Sequence, residues 1–293
     1  MGDMARGPQI AMLPDGKRLH LQYGPSDLIV EADGDPDEVA VAYRQAITRF
    51  RTILPELVGE LPRLREPASA DMQPGSFRWS TARRMADAVR PHRSVFVTPM
   101  AGVAGAVADE VLAALTQGRR LDRAYVNNGG DIALFLAKGA EFAVGLIGRP
   151  DKPEPAGKFT VTHDVPVRGV ATSGWRGRSH SLGIADAVTV LARNAAAADV
   201  AATLIANKVN INHPGIERRP AQELDPDSDL GMLPVTVSVG ALDDDSRRQA
   251  LDAGLAAAEA MRDARLIFAA ALLLDGMAGT VGAAQVQALP AGA

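Results

Sequence analysis

The run VNNGGDIALF, residues 126–135, constrains this chain more than any other stretch, because it lies between two apolar segments, RAYV and IALFLA. Asn-Gly between hydrophobic runs is a strong short-range hairpin signal, since the tightest antiparallel turn needs positive φ at its central residues. The run therefore predicts two antiparallel strands joined through Gly129 and Gly130. The same glycines would also let backbone approach a ligand closely, with Asp131 accepting hydrogen bonds from a base or ribose. Taken alone, the run accommodates both readings.

Around this hairpin the pattern alternates irregularly. RLHLQY (18–23) and DLIVEA (27–32) read as an opening hairpin, and Asp35-Pro36 starts a long helix with Val39, Tyr43, Ile47, Phe50, Ile53 and Leu57 near the 3.6 period. The stretch EPASADMQPGS (66–76) reads as a surface loop. SVFVTP predicts a short strand, with Thr98 as N-cap and Pro99 at the first helical position of a small-residue helix. FAVGLIG, KFTVTH, VRGVATSG and ADAVTVLAR continue as strands, and NAAAADVAATLIAN forms an alanine-rich helix. A loop over 208–232 precedes the strand LPVTVSVG and a long C-terminal helix ending at Gly276, with LIFAAALLL (266–274) as its buried part. Strands and helices are interleaved without βαβ alternation, which predicts an α+β fold with a largely antiparallel sheet. The expected organisation is one domain over 1–293, with an N-terminal hairpin and long helix (1–92), a motif-bearing core (93–207) and a C-terminal strand and helix (208–293).

Composition narrows the function. With 47% hydrophobic and 23% charged residues the chain can build a core, and its net charge of -4 carries no basic footprint for nucleic acid. The pairs Arg83-Arg84 and Arg218-Arg219 read as solvated faces. Having no cysteine excludes disulfides, thiolate metal sites and a cysteine nucleophile. The first eighteen residues lack a signal-peptide apolar region, and LIFAAALLL is too short to cross a bilayer, so the expectation is a cytoplasmic protein without membrane contact.

Four stretches can carry chemistry. In TPMAGVAGAVADEV (98–111), Gly102, Val103 and Gly105 lie at a helix start whose amides and dipole suit a phosphate; tight helix packing uses the same small residues. Asn128, Gly129, Gly130 and Asp131 form the second, the hairpin turn. In VATSGWRGRSH (170–180), Thr172 and Ser173 supply hydroxyls, Gly174 a sharp turn, and Arg176, Arg178 and His180 positive or proton-sharing character. A polar loop with exposed arginines is the plainer reading. None of the five histidines has metal-ligand HxxH or HxxxH spacing. In ADVAAT (198–203), Asp199 and Thr203 share a helical face, a carboxylate-hydroxyl pair that Mg²⁺ accepts; a mid-helix Thr more often bonds back to its own i−4 carbonyl.

In order, VAGAVAD (103–109), NNGGDI (127–132), FAVGLIGRP (142–150), VATSG (170–174) and DVAAT (199–203) resemble the ApbE family, the FAD:protein FMN transferases. That family carries motifs of the type AKGYAVD, GGD/E, W-x-V-G-I-x-x-P, ATSG, HxxDPxTG and DAxAT. The resemblance spans roughly Val95 to Ala206. It implies an ApbE-like fold, an FAD-type ligand and Mg²⁺ held by Asp199 and Thr203, with a carbonyl near Val103 as a further oxygen donor. It implies a pocket lined by Gly129, Gly130 and Asp131, and FMN transfer to a Ser or Thr of a protein acceptor. His180 matches the histidine of HxxDPxTG and takes the catalytic role, but the rest of that segment reads HSLGIADAV, and Ala104 stands where the motif has lysine. This describes a divergent cytoplasmic branch. A non-catalytic flavin- or pterin-binding protein is the alternative. So is a homo-oligomeric module whose interface is built by small-residue helices and the apolar C-terminal helix.

Overall fold

A computed structural model describes residues 7–147, 155–282 and 286–288. Gly148, Arg149 and Pro150 of the FAVGLIGRP motif lie outside them. In chain order, β1 (Gln9–Met12), β2 (Leu19–Tyr23) and β3 (Ser26–Gly34) lead into α1 (Pro36–Leu64) and α2 (Ser80–Val89). A 3₁₀ turn, Pro99–Gly102, opens α3 (Val103–Thr116), followed by β4 (Leu121–Asn128), β5 (Asp131–Leu136), β6 (Glu141–Ile147) and β7 (Pro155–Thr162). Then come β8 (Gly169–Ser173), β9 (Ala187–Ala192), α4 (Ala195–Lys208), β10 (Ile216–Pro220) and α5 (Ala221–Leu224). β11 (Pro234–Val239), α6 (Asp244–Asp263), β12 (Ala269–Leu274), β13 (Met277–Val281) and β14 (Val286–Ala288) complete the order. Every strand pair with an assigned register is antiparallel, so the α+β expectation holds.

The chain divides into two compact units. The first comprises residues 1–141, 162–170 and 193–200. Its sheet runs β1-β2-β3-β4-β5, and β5 pairs onward through Ile132↔Val170 and Ala133↔Gly169. One face alternates inward with Leu28, Val30 and Ala32 on β3 and Ala124 and Val126 on β4, as period 2 requires. α1 lays Phe50, Ile53 and Leu57 into the same core as Val107, Val111 and Leu115 of α3. Asp35 caps α1 by accepting from the amides of Asp37 and Glu38, and Pro36 takes the first turn. Residues 99–116 have the length and mean hydropathy, 1.3, to cross a membrane, but 56% of that window is buried in the protein, as befits a core helix.

The second unit comprises 142–161, 171–192 and 201–293. β9 pairs with β12 and β12 with β13, β10 and β11 form a separate ribbon, and β7 pairs with β14. Leu251 and Ala258 of α6 are buried, along with Leu272 and Leu274 of β12.

Five local readings change. SVFVTP is not a strand: Val95 and Phe96 are exposed and no strand among the described residues pairs with them, though Thr98 does cap the turn opened by Pro99. LIFAAALLL is not helical; α6 stops at Asp263, Arg265 takes a left-handed φ of 59°, and Ala269–Leu274 is a buried strand, so the apolar run forms no part of α6. The 208–232 loop contains β10 and α5. α2, a helix over 80–89, carries no start signal in the sequence, because Trp79 before it offers no side-chain cap. Finally, the arginine pairs are not merely solvated: Arg83 donates to the Phe77 carbonyl, Arg84 to Glu110 and Arg218 to Asn210.

Candidate functional site

In the first unit, β4 and β5 meet in a two-residue turn: Asn128 pairs with Asp131, and Gly129 and Gly130 have φ of 66° and 115°. The turn itself thus accounts for both glycines. The Gly130 amide donates to Asn127 Oδ1 at 2.8 Å, and nothing lies within 4 Å of where a Gly130 side chain would start, so the tip is open. Asp131 is half-buried. Asn128 is buried, and its side chain belongs to the fold: Nδ2 donates to the Ala104 carbonyl at 3.1 Å and Oδ1 accepts from the Asp27 amide at 3.3 Å. It ties the hairpin to the first turn of α3, a structural role in place of the expected ligand contact.

That first turn is where a phosphate was expected, and a carboxylate is already there. Asp199 Oδ2 accepts from the Gly105 amide at 3.0 Å, and the Ala104 amide also bonds the carboxylate. Asp109 of α3 reciprocates, accepting from the Ala195 and Ala196 amides at 3.0 and 2.9 Å at the start of α4. Each helix thus caps the other's N-terminus, satisfying amides that no intrahelical carbonyl can reach. The close approach explains the small residues. A Cβ on Gly102 would sit 2.9 Å from Val200 Cγ2, and one on Gly105 would sit 2.3 Å from the Ala195 carbonyl oxygen. Gly102 and Gly105 are therefore packing glycines, and the amide expected to hold a phosphate at Gly105 holds Asp199. We expect Gly105→Ala to cost about 2 kcal/mol by forcing the helices apart, measured by urea unfolding; a change under ~0.5 kcal/mol would mean that the contact relaxes freely.

Burial raises the pKa of Asp109 to about 6 despite its two amide bonds. Burial likewise raises that of Asp199, with Asp109 adding to the rise and the Gly105 and Ala104 amides opposing it. One turn beyond Asp199, Thr203 is half-exposed, and its hydroxyl has no protein partner among the described residues. Other helical threonines do bond back, Thr48 to the Arg44 carbonyl at 2.8 Å and Thr116 to Leu112 at 2.9 Å. Thr203 thus departs from the usual mid-helix pattern. Among the described residues no three His, Asp or Glu side chains gather, so a metal here would draw on these two oxygens, main-chain carbonyls, water and ligand oxygens. That donor set fits Mg²⁺, which keeps several waters and takes few carboxylates.

The decisive comparison is a family model described as AbpE bacteria, which matches residues 10–283. The chain belongs to this family. The ApbE-like assignment made from the motifs holds, in a divergent form. This AbpE-family chain is also 36% identical over 129 residues to a UPF0280 protein of Methanococcoides burtonii, covering 42% of this chain and 51% of that one. It is 40% identical over 122 residues to a UPF0280 protein of Methanothermobacter thermautotrophicus, covering 41% and 46%. The chain spans about half the length of these relatives. Among solved structures, the apo flavinyl transferase ApbE of Pseudomonas stutzeri aligns at a TM-score of 0.47 with 14% identity, covering 97% of this chain and 95% of that one.

In the second unit of this family member, the ATSG strand β8 ends at a crowded corner. Thr172 Oγ1 shares a 2.8 Å hydrogen bond with Thr189 Oγ1, so its hydroxyl is engaged within the sheet. A Cβ on Gly174 would meet the Asp186 carbonyl oxygen at 2.3 Å, which fixes glycine there. Ser173 is half-buried, Arg178 is exposed, and Arg176 is ion-paired to buried Asp186 at 2.8 Å. His180 is half-buried, and its ring has no hydrogen-bond partner among the described residues. Asp109 closes the VAGAVAD motif, and Asp186 lies near His180 at an offset that does not match the aspartate of HxxDPxTG; the sequence assigns neither a role, and their amide and guanidinium partners supply one.

Proposed function

We propose that the chain acts on a flavin- or nucleotide-type diphosphate with Mg²⁺ held at Asp199 and Thr203. The carrying observation is a carboxylate fixed by the α3 amides with, one helical turn away, a hydroxyl that the protein leaves unpartnered. A carboxylate held by two amides cannot swing, so α4 presents its oxygens in a fixed direction. When bound, Mg²⁺ supplies neutralisation of the diphosphate charge. In FMN transfer, an acceptor Ser or Thr oxygen forms the new bond to the FMN phosphorus, the bond to AMP breaks, and the hydroxyl proton goes to a base. In FAD hydrolysis, water replaces the acceptor. Nothing lies within 4 Å of where a Gly130 side chain would start, so a ligand can approach the backbone there without a side chain intervening.

Ala104 favours a second reading. A methyl group stands where the family motif has lysine, and its carbonyl is used by Asn128, so a flavin-type ligand would be held without that cation. This is binding without turnover.

Thr203→Val tests the metal assignment cleanly. Because the hydroxyl has no protein partner, the substitution should change stability by less than ~0.5 kcal/mol. Loss of a metal donor should weaken Mg²⁺-dependent FAD turnover or binding roughly tenfold or more. FAD with Mg²⁺ and acceptor peptides, followed by mass spectrometry, separates labelled peptide, free FMN plus AMP, and unreacted bound ligand. A Thr203→Val protein that needs no more Mg²⁺ than the parent would remove Thr203 from the site.

A further inference from the structure

The second unit contains a cavity of about 300 Å³ that no part of the diphosphate reading uses. Its size is at the small end for ligand cavities, which run from about 300 to 1,000 Å³, and suits a small molecule rather than a dinucleotide. Trp175 and Arg176 form one wall, and Val239, Leu242 and Leu274 supply apolar surface.

The polar groups are pre-arranged. Asp186, which is 6% exposed, accepts from Arg176 Nε at 2.8 Å with one oxygen and from the Asp275 amide at 2.6 Å with the other. The Arg176 guanidinium also stacks on the Trp175 ring, 4.2 Å from its centroid. Held at Nε and on its face, the guanidinium has two terminal nitrogens that take no partner among the described residues. Such a fork matches a carboxylate bidentately. The other charge at the rim, Asp275, pairs at 3.1 Å with Arg247, a guanidinium that Asp244 shares. The Arg176 fork can take one carboxylate, the acidic groups nearby disfavour any further negative charge, and Val239, Leu242 and Leu274 offer an apolar body something to pack against.

We propose that this cavity binds a small organic monocarboxylate with an apolar or aromatic body, its carboxylate on the terminal nitrogens of Arg176 and its body against Trp175, Val239, Leu242 and Leu274. The site is independent of Asp199 and Thr203. Binding there should survive Thr203→Val.

Trp175 gives the readout, since the chain has two tryptophans and Trp79→Phe leaves Trp175 as the sole one. Titrating that variant with phenylacetate should change its fluorescence saturably, with a Kd of about 1 mM or tighter for so small a ligand. Phenylacetamide, which lacks the charge, should bind at least tenfold more weakly. Arg176→Lys should weaken phenylacetate about tenfold by losing the fork. Ala241→Leu, which adds bulk at the cavity lining while leaving both ion pairs intact, should abolish the signal even if the lysine variant folds poorly. No saturable change, equal binding of acid and amide, tighter binding of inorganic phosphate than of phenylacetate, or a signal that persists in Ala241→Leu would each overturn the proposal.

Discussion

Glu110→Ala should destabilise the protein by about 3 to 4 kcal/mol in urea unfolding at neutral pH, among the largest effects of any single substitution considered for this chain. Glu110 is 7% exposed on α3, yet it is a charge. It stays ionised because three donors converge on it: Arg49 Nε at 2.9 Å, Arg84 Nε at 2.7 Å and Ser80 Oγ at 2.5 Å. Burial alone would push its pKa up; the bonds from Ser80, Arg84 and Arg49 outweigh burial and bring it below the ordinary glutamate value. Removing the carboxylate strands the guanidinium groups of α1 and α2 that were folded around it. Arg49 retains Glu56 at 2.7 Å and Arg84 is 39% exposed, which keeps the loss below that of a fully sealed pair. Glu110→Gln, which keeps an acceptor, should cost roughly half as much. Because the folded-state pKa is depressed, this stabilisation is present above the unfolded value near 4.5 and is lost as pH falls below it. A Glu110→Ala protein within ~1 kcal/mol of the parent would mean that both guanidinium groups reach water once released.

How much of this could be read from residues alone differs by element. The opening hairpin, α1 and the Gly129-Gly130 turn were legible, because each rests on a local rule: alternation, a 3.6 period with an Asp-Pro start, and paired positive φ. The α6–β12 junction was not. The apolar run 266–274 is compatible with a buried helix or a buried strand, and periodicity does not separate them. The break sits at Arg265, a non-glycine residue in the left-handed region, where no Gly or Pro marks a helix end. SVFVTP misled in the opposite direction, since β-branched and aromatic composition describes a strand only where a partner strand exists. At the site, the motif order pointed to α3, the hairpin and α4, and the fold does join Gly105 to Asp199 and Ala104 to Asn128. What each residue does there was hidden. Gly102 and Gly105 looked like phosphate-binding glycines, and only the position of Ala195 and Val200 shows that they make room for a helix.

Asp109 closes the VAGAVAD motif without a role that the sequence assigns, and its replacement carries the second large effect. Asp109→Ala strips two buried amides, Ala195 and Ala196, of their acceptor at the N-terminus of α4. Each unsatisfied buried amide costs about 1 to 3 kcal/mol, so the deficit before any charge effect is on the order of 4 kcal/mol. The charge effect has the opposite sign. Burial raises the folded-state pKa from 3.8 to about 6, so the folded protein holds a proton that the unfolded chain has released across that window. The stabilising contribution of this group is greatest below pH 3.8, declines as pH rises, and is fully lost above about 6. Asp109→Ala should therefore cost about 3 kcal/mol at pH 5, and the gap to the parent should narrow by roughly 1.5 kcal/mol by pH 8. Asp109→Asn keeps one acceptor without a charge, so it should lose about 1 kcal/mol at pH 5 and match or exceed the parent at pH 8. Urea unfolding of the three proteins between pH 5 and 8 measures this directly. A gap that widens with pH would mean that the ionised carboxylate holds the α4 amides better than the neutral one, with the helix dipole outweighing burial. In that case the two N-termini would be organised by charge, and Asp199, seated in the mirror-image arrangement on α3, would be expected to ionise by the same means.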